Sequence, residues 1–223
     1  MQTPVNKRSL QQMRTYSWWK FLLIVILAAV FWNLFFTVTA YRPPAEKRVD
    51  LYAATTGDET AIRAYLEQIR QTEMSDMEEM NFVFLLTENY YGDMQLSAYV
   101  GAGEGDLYML AAQQFQSYAA NGAMMALEDD EELIALCEAA GIPLDKGWRT
   151  ESETRERHLY GIPVDRLTGF QQFGMVLTDR YLSIIVNNGN DENSRKLLRI
   201  LVRDMMAKPV ATETDLATAS DLP

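Results

Sequence analysis

The chain has 223 residues, a formal net charge of −11 and one cysteine, Cys137. A single cysteine excludes an intramolecular disulfide, so the chain is not a small disulfide-built domain and has to fold on a hydrophobic core. The acidic balance excludes nucleic-acid binding, which requires a basic footprint. Cys137 lies in an apolar helical stretch and is predicted to be a buried structural thiol.

The first predicted element is a membrane-spanning helix over residues 21–41. The sequence FLLIVILAAVFWNLFFTVTAY contains no charged side chain and is long enough to cross the hydrocarbon core, which takes roughly 20 residues. The alternative is a cleaved signal peptide, whose apolar region is usually only about 7–15 residues and ends at a small-x-small site. Residues 38–40 are a poor site of that kind, so we favour an uncleaved anchor.

The charges on either side of the span predict its orientation. Four basic residues and no acid precede the span, whereas three bases and one acid follow it within residues 42–48. Positive charge is retained on the cytoplasmic side, so we expect residues 1–20 inside and the rest of the chain outside the cell membrane.

The span has predicted partners of its own. The lipid bilayer surrounds residues 21–41, and Asn33 lies near the middle of the run. A polar amide at this depth can bond a neighbouring helix, either of a membrane-protein partner or of a second copy. The alternative is that one asparagine is simply tolerated.

After a linker at 42–48, residues 49–206 alternate between strand and helix patterns. Strands are predicted at 49–54, 81–87, 106–110, 158–164 and 181–186. Helices are predicted between and after them, with ends near residues 73, 102, 120, 140 and 206. Residues 145–157 read as a surface loop, and 207–223 as a disordered tail. This order predicts an α/β domain with a mainly parallel sheet and helices on both faces.

One block of this domain resembles a known family. The sequence GEGDLYMLAAQQFQSYAANGAMMALED resembles a segment of the extracytoplasmic solute-binding proteins of ABC importers, which have the type 2 periplasmic-binding fold. The matching positions are Gly103, Asp106, Phe115, Ala119, Gly122, Leu127 and Asp129. Three further segments, VDLYAATTGDETAIRAYLEQI, HLYGIPVD and YLSIIVNNGNDENSRKLLRILVRD, resemble other parts of the same lobe in the same order.

The resemblance implies one lobe of such a protein. A two-lobed member needs roughly 280 residues or more, at about 100–200 residues per lobe. Only a short connection stands between Val164 and Tyr181, where the second lobe would be inserted. We therefore expect a membrane-anchored binding or interaction protein that is accessory to an ABC transporter or envelope complex. The alternatives are a genuine solute receptor for an ABC importer and an envelope hydrolase with unrecognised catalytic carboxylates.

The candidate ligand-binding residues follow the predicted strands. In open α/β sheets, ligands bind beyond the carboxyl ends of the strands, near helix N-termini, and the resemblance points to the same loops. These residues are Thr55, Thr56, Gly57, Asp58, Glu88, Asn89, Tyr90, Ala112 and Gln113. The alternative is that they form ordinary turns and caps, which we favour because a single lobe does not enclose a pocket.

No motif predicts catalysis, a metal site or a cofactor. His158 is the only histidine, and no nucleophile motif lies near it. The acidic run 128–132 is predicted to cap a helix N-terminus, where the helix dipole favours acids. The methionines at 74, 77 and 80 are spaced like one face of a helix that packs on a core or partner, which we favour over a copper site.

Overall fold

The computed structural model describes residues 18–39, 41, 43–86, 90–186 and 189–206. The chain divides into two compact units, residues 1–42 and residues 43–223. The predicted tail, residues 207–223, and most of the predicted cytoplasmic segment lie outside the described residues.

The described part of the first unit contains a single helix, α1, over Trp18–Thr39. It begins three residues before the predicted span and ends two residues before its end. By length and composition it can cross a membrane, and a signal sequence near the N-terminus passes the same test. The Thr37 hydroxyl donates to the Asn33 carbonyl at 2.8 Å and the Thr39 hydroxyl to the Phe35 carbonyl at 2.7 Å, so both are satisfied inside the helix.

The second unit alternates strands and helices. Its strands are β1 Arg48–Ala53, β2 Glu79–Phe84, β3 Leu107–Ala111, β4 Trp148–Thr150, β5 Arg157–Leu159, β6 Ile162–Pro163 and β7 Arg180–Ile184. Its helices are α2 Glu59–Thr72, α3 Tyr90–Ala102, α4 Ala112–Ala120, α5 Glu131–Ala139 and α6 Asp191–Met205. Short 3₁₀ turns cover Ala45–Lys47, Leu144–Gly147 and Thr168–Phe173.

Five of these strands form one sheet in the order β2-β1-β3-β7-β6. Strand β1 is parallel to β2 and β3, whereas β7 is antiparallel to both β3 and β6. Four strands therefore run in one direction and only β7 runs in the other. The predicted α/β class with a mainly parallel sheet is confirmed.

Helices cover both faces of the sheet, because side chains alternate along each strand. Leu51 and Leu107 pack on one face with the buried side of α2 and with α5 and α6. Tyr52 and Tyr108 point to the other face and pack with α3 and α4. The strands β1 and β3 are almost wholly buried, as expected of central strands covered on both sides.

Two predictions for residues 145–164 are wrong in detail. The predicted loop at 145–157 contains β4, and the predicted strand at 158–164 is divided between β5 and β6. Strands β4 and β5 pair as a separate hairpin, whereas β6 pairs with β7 in the main sheet. The division falls at Gly161, where an added Cβ would lie 2.7 Å from both the Phe115 ring and the Ser183 hydroxyl. Only glycine fits at this point, where the chain passes from the hairpin to the main sheet.

Two of the predicted core features have the expected burial. Cys137 is buried, and burial raises the pKa of its thiol to about 12, which makes it a poor nucleophile. Met74 and Met77 are buried in the core, but they lie in the turn between α2 and β2, and Met80 is in β2. The prediction that the three methionines share one face of a helix is therefore wrong, whereas the predicted core packing of Met74 and Met77 is confirmed.

Candidate functional site

The predicted site residues lie at the carboxyl edge of the sheet, where β1, β2 and β3 end and α2, α3 and α4 begin. Strand β7 starts at this same edge because it is antiparallel, and its first residue, Arg180, pairs with Ala111 at the end of β3. The connection 174–179, which precedes β7, therefore also borders the edge.

Most of the residues after β1 are engaged within the chain. The buried Thr55 hydroxyl accepts from the Val176 N–H at 3.3 Å. Asp58 caps α2 by accepting from the Ala61 N–H at 3.0 Å, and its own N–H donates to the Phe173 carbonyl at 2.7 Å. Thr56 is exposed. The structure thus gives Thr55 and Asp58 the turn and cap roles that the sequence analysis favoured.

Gly57 is required by close packing at this turn. An added Cβ would lie 2.6 Å from the Phe173 carbonyl oxygen, which belongs to the backbone and cannot rotate away.

We expect Gly57→Ala to lower the free energy of unfolding by about 1–3 kcal/mol, the usual range for overpacking. The matched control is Gly101→Ala near the end of α3, where a Cβ meets no atom within 4 Å. That change should stabilise the protein by about 0.5–1 kcal/mol, since alanine is the better helix former. Urea unfolding measures both, and equal effects would contradict the packing assignment.

Of the residues predicted after β2, Glu88 and Asn89 lie outside the described residues. Tyr90 is the first residue of α3, and its side chain is 74% exposed. Its ring meets that of Tyr91 edge-on, with 6.2 Å between the centroids. Tyr90 is therefore available for contact with another molecule.

The residues after β3 border a solvent-open cavity of about 420 Å³. The Ala112 N–H donates to the Asp179 carbonyl at 2.9 Å, whereas Gln113 is exposed and lines the cavity. Gln114, which the sequence analysis missed, joins three elements. Its oxygen accepts from the Ala111 N–H at 3.2 Å, and its amide group donates to Asp93 of α3 at 2.9 Å.

Arg180 is the main site residue that the sequence analysis missed. It lines the 420 Å³ cavity and also a second cavity of about 100 Å³ beside Thr55 and Thr56. Its Nε atom is buried and has no hydrogen-bond partner. None of the ion pairs among the described residues includes it, although the unit is strongly acidic.

Exposed apolar side chains surround this edge. They are Leu86, Tyr90, Tyr91, Met94 and Val176, which we call the edge patch, and their exposures run from 51% to 81%. Among the described residues 43–86, 90–186 and 189–206, these are all of the large apolar side chains that are exposed. Leu86 and Val176 line the smaller cavity together with Arg180.

The only histidine lies in a different place, on the β4–β5 hairpin. His158 Nδ1 contacts the Glu128 carboxylate, and Nε2 lies 3.3 Å from Glu156. The hydrogen bond to Glu128 raises the pKa of His158. Glu128 also accepts from the Leu159 N–H at 3.1 Å, so the cluster fastens the acidic run to the hairpin. In the described residues, no group of three or more His, Cys, Asp or Glu side chains is arranged to hold a metal ion.

The acidic run 128–132 caps a helix, as predicted. Asp130 accepts from the Leu133 N–H at 3.0 Å at the start of α5. Two arginines of α6 complete the arrangement: Arg199 pairs with Asp130 at 3.0 Å, and Arg195 pairs with Asp129 at 2.8 Å. These acids are therefore engaged in joining α5 to α6.

Comparison with solved structures finds two distant matches. One is an extracellular solute-binding protein of family 1 from Alicyclobacillus acidocaldarius, with 17% identity over 55% of this chain and a TM-score of 0.40. The other is RafE from Streptococcus pneumoniae in its apo form, with 17% identity over 55% of this chain and a TM-score of 0.34. The chain resembles one lobe of a solute-binding protein. The likeness concerns the fold alone, and the match covers 29% of each of those proteins. No protein-family profile and no curated protein sequence matches the chain.

Proposed function

We propose that this chain is a membrane-anchored extracytoplasmic protein that binds a protein partner through the carboxyl edge of its sheet. In this proposal residues 1–20 are cytoplasmic, 21–41 form the anchor, 42–48 the linker and 49–206 the binding domain. The observation that carries the proposal is the edge patch, because the exposed large apolar side chains of the described domain are all gathered there. Gathered apolar exposure of this kind marks interaction sites.

The composition of the edge favours a protein over a small solute. Tyrosine and arginine are among the residues most enriched at the energetic centres of protein interfaces, and Tyr90, Tyr91 and Arg180 all border this edge. A small-molecule site buries roughly 70–90% of its ligand, and the cavities here are open to solvent. The expected partner is a component of an ABC transporter or of another envelope complex, as the fold resemblance implies.

The anchor offers a second contact in this proposal. Ala29, Asn33 and Thr37 are spaced four residues apart, so they share one face of α1. A face of small and polar side chains favours packing against a neighbouring helix within the bilayer. That neighbour is a helix of the partner or of a second copy.

A solute receptor for an ABC importer is the second candidate. The observation in its favour is the 420 Å³ cavity, whose size falls in the range of about 300–1,000 Å³ that is usual for ligand sites. For a hydrolase with unrecognised carboxylates, no comparable observation stands among the described residues; Asp129 and Asp130 of the acidic run, for example, are engaged in capping and ion pairs.

The proposal is tested by removing the apolar rings of the patch. The double variant Tyr90→Ser, Tyr91→Ser alters two side chains that are 74% and 81% exposed, so its folding should be little affected. We expect the full-length chain to lose its larger complex on native gels of mildly solubilised membranes. The control is Gln68→Ser on the exposed side of α2, which should leave the complex intact. A complex that survives the double variant unchanged would contradict a partner site at this edge.

A further inference from the structure

Arg180 differs from the three arginines of α6. Arg195, Arg199 and Arg203 of α6 each pair with a carboxylate at 2.6–3.0 Å. Arg180 has no such partner among the described residues, and its buried Nε–H donates to nothing. A buried donor without an acceptor carries a desolvation cost, so this guanidinium is incompletely satisfied within the chain.

Among the described residues, Arg180 is the only basic side chain that lines the larger cavity. The opposite charge in this lining is Asp93 of α3, whose carboxylate already accepts from the Gln114 amide at 2.9 Å. A guanidinium that has no ion-pair partner within the chain can bind a carboxylate through two parallel hydrogen bonds.

The apolar side chains beside Arg180 indicate which kind of molecule presents the carboxylate. Leu86 and Val176, which are 57% and 51% exposed, border Arg180 on the side of the smaller cavity. A free phosphate or a small dicarboxylate has nothing to cover such side chains. An acidic residue with apolar neighbours, presented by a protein segment, fills the charged centre and the apolar rim together.

We propose that Arg180 receives the carboxylate of an aspartate or glutamate from the protein partner, with apolar side chains on either side of that acid packing against Leu86 and Val176. The inference rests on the proposed function and specifies the chemistry of the partner. In the proposed interface, Arg180 is the charged centre and the side chains of the edge patch form the apolar surface around it.

Photo-crosslinking of the full-length chain in its native membranes tests the inference. Benzoylphenylalanine at Gln113, on the cavity wall, should give an adduct with the partner, and the crosslinked segment should contain an aspartate or glutamate. Arg180→Gln should reduce the adduct yield roughly tenfold or more, as expected of a central interface arginine. Arg180→Glu should abolish the adduct, and changing the partner's acid to lysine should restore it. The melting temperature of each variant shows whether it is folded.

The outcomes separate this inference from the proposed function. If benzoylphenylalanine at Tyr91 still gives its adduct at full yield in a folded Arg180→Gln variant, the edge is an interface but Arg180 is not its centre, and the inference is overturned. If neither position gives an adduct, the proposed function itself fails. An adduct between two copies of this chain would overturn the assignment of a separate acidic partner.

Defined probes give a test that does not require the partner. The peptide acetyl-Leu-Asp-Leu-amide should shift the Arg180 Nε–H resonance of the full-length protein in detergent micelles, with the resonance assigned by its loss in Arg180→Lys. The matched peptide acetyl-Leu-Asn-Leu-amide should not shift it. An equal shift with potassium phosphate, or no shift with the aspartate peptide at millimolar concentration, would overturn the inference.

Discussion

We expect Phe115→Ala to lower the free energy of unfolding of the sheet domain by about 3–5 kcal/mol, the usual cost of removing a buried aromatic ring. The Phe115 side chain is fully buried and stacks on Tyr181, with ring centroids 4.4 Å apart and planes 11° apart. The Arg149 guanidinium lies 5.2 Å from the same centroid. Because Gly161 passes directly against the ring, the surrounding backbone is not free to collapse into the cavity.

The effect should extend to the candidate site. Phe115 holds α4 against β7, and α4 carries Gln113 while β7 begins with Arg180. The control is Phe115→Leu, which keeps most of the volume and should cost about 1–2 kcal/mol. Urea unfolding followed by near-ultraviolet circular dichroism measures both variants. A loss below about 1 kcal/mol for the alanine variant would mean that this packing does not stabilise the domain.

The second large effect is a pH dependence that arises from Asp106 at the opposite edge of the sheet. Its carboxylate accepts from the Asp50 N–H at 2.6 Å and from the Asn190 side-chain amide at 3.3 Å. Burial raises the pKa of Asp106 from 3.8 to about 6, because desolvation outweighs these two hydrogen bonds, and the nearby Asp50 charge raises it further. Asp50 itself is held by Arg48 at 3.0 Å and by the Asn81 amide at 2.9 Å.

A raised folded-state pKa means that the fold prefers the protonated acid. The contribution of Asp106 is therefore fully present below pH 4, near the unfolded-state pKa, and is lost as the pH rises through about 6. The difference between the two pKa values corresponds to about 3 kcal/mol above both of them. We expect Asp106→Asn, which does not ionise, to gain about that much relative to the wild type between pH 4 and pH 8.

Unfolding free energies measured at several pH values for the wild type and Asp106→Asn test this expectation, because the other titrating groups cancel in the difference. Asp76→Asn, which removes a carboxylate from the exposed turn after α2, is the control and should follow the wild-type curve. Parallel curves for the wild type and Asp106→Asn would show that Asp106 does not have a raised pKa in the folded protein.

Much of this fold could be predicted from the chain because its local signals agree with one another. Short segments rich in apolar residues predicted β1 and β3, and the α2 side chains Ile62, Leu66 and Ile69 recur at helical spacing and are buried. The resemblance to a solute-binding lobe rested on the same ordered segments. Each of these signals depends on a short stretch of sequence, which is why pattern alone was sufficient.

The parts that were missed depend on contacts between distant residues. The direction of β7 has no local signature, and without it Arg180 could not be assigned to the carboxyl edge of the sheet. The split between β5 and β6 lies next to Gly161, which packs closely on Phe115 and Ser183 from distant parts of the sequence. The bridging role of Gln114 also requires α3 and α4 to be neighbours.

The arrangement of the domain explains why its carboxyl edge is the candidate site. Helices bury both faces of the sheet. Asp129, Asp130 and Glu132 are engaged in ion pairs with α6, and Glu128 contacts His158 of the hairpin. At the carboxyl edge the structure instead leaves the apolar side chains of the edge patch exposed and the Arg180 Nε–H without an acceptor. The edge is the surface that another molecule would complete.

The most direct test of this account is site-specific photo-crosslinking in native membranes, with benzoylphenylalanine placed either at Tyr91 in the edge patch or at Gln68 on the exposed side of α2. We predict one discrete adduct from position 91 and none from position 68. Equal labelling from both positions, or no adduct from position 91, would contradict a binding face at the carboxyl edge.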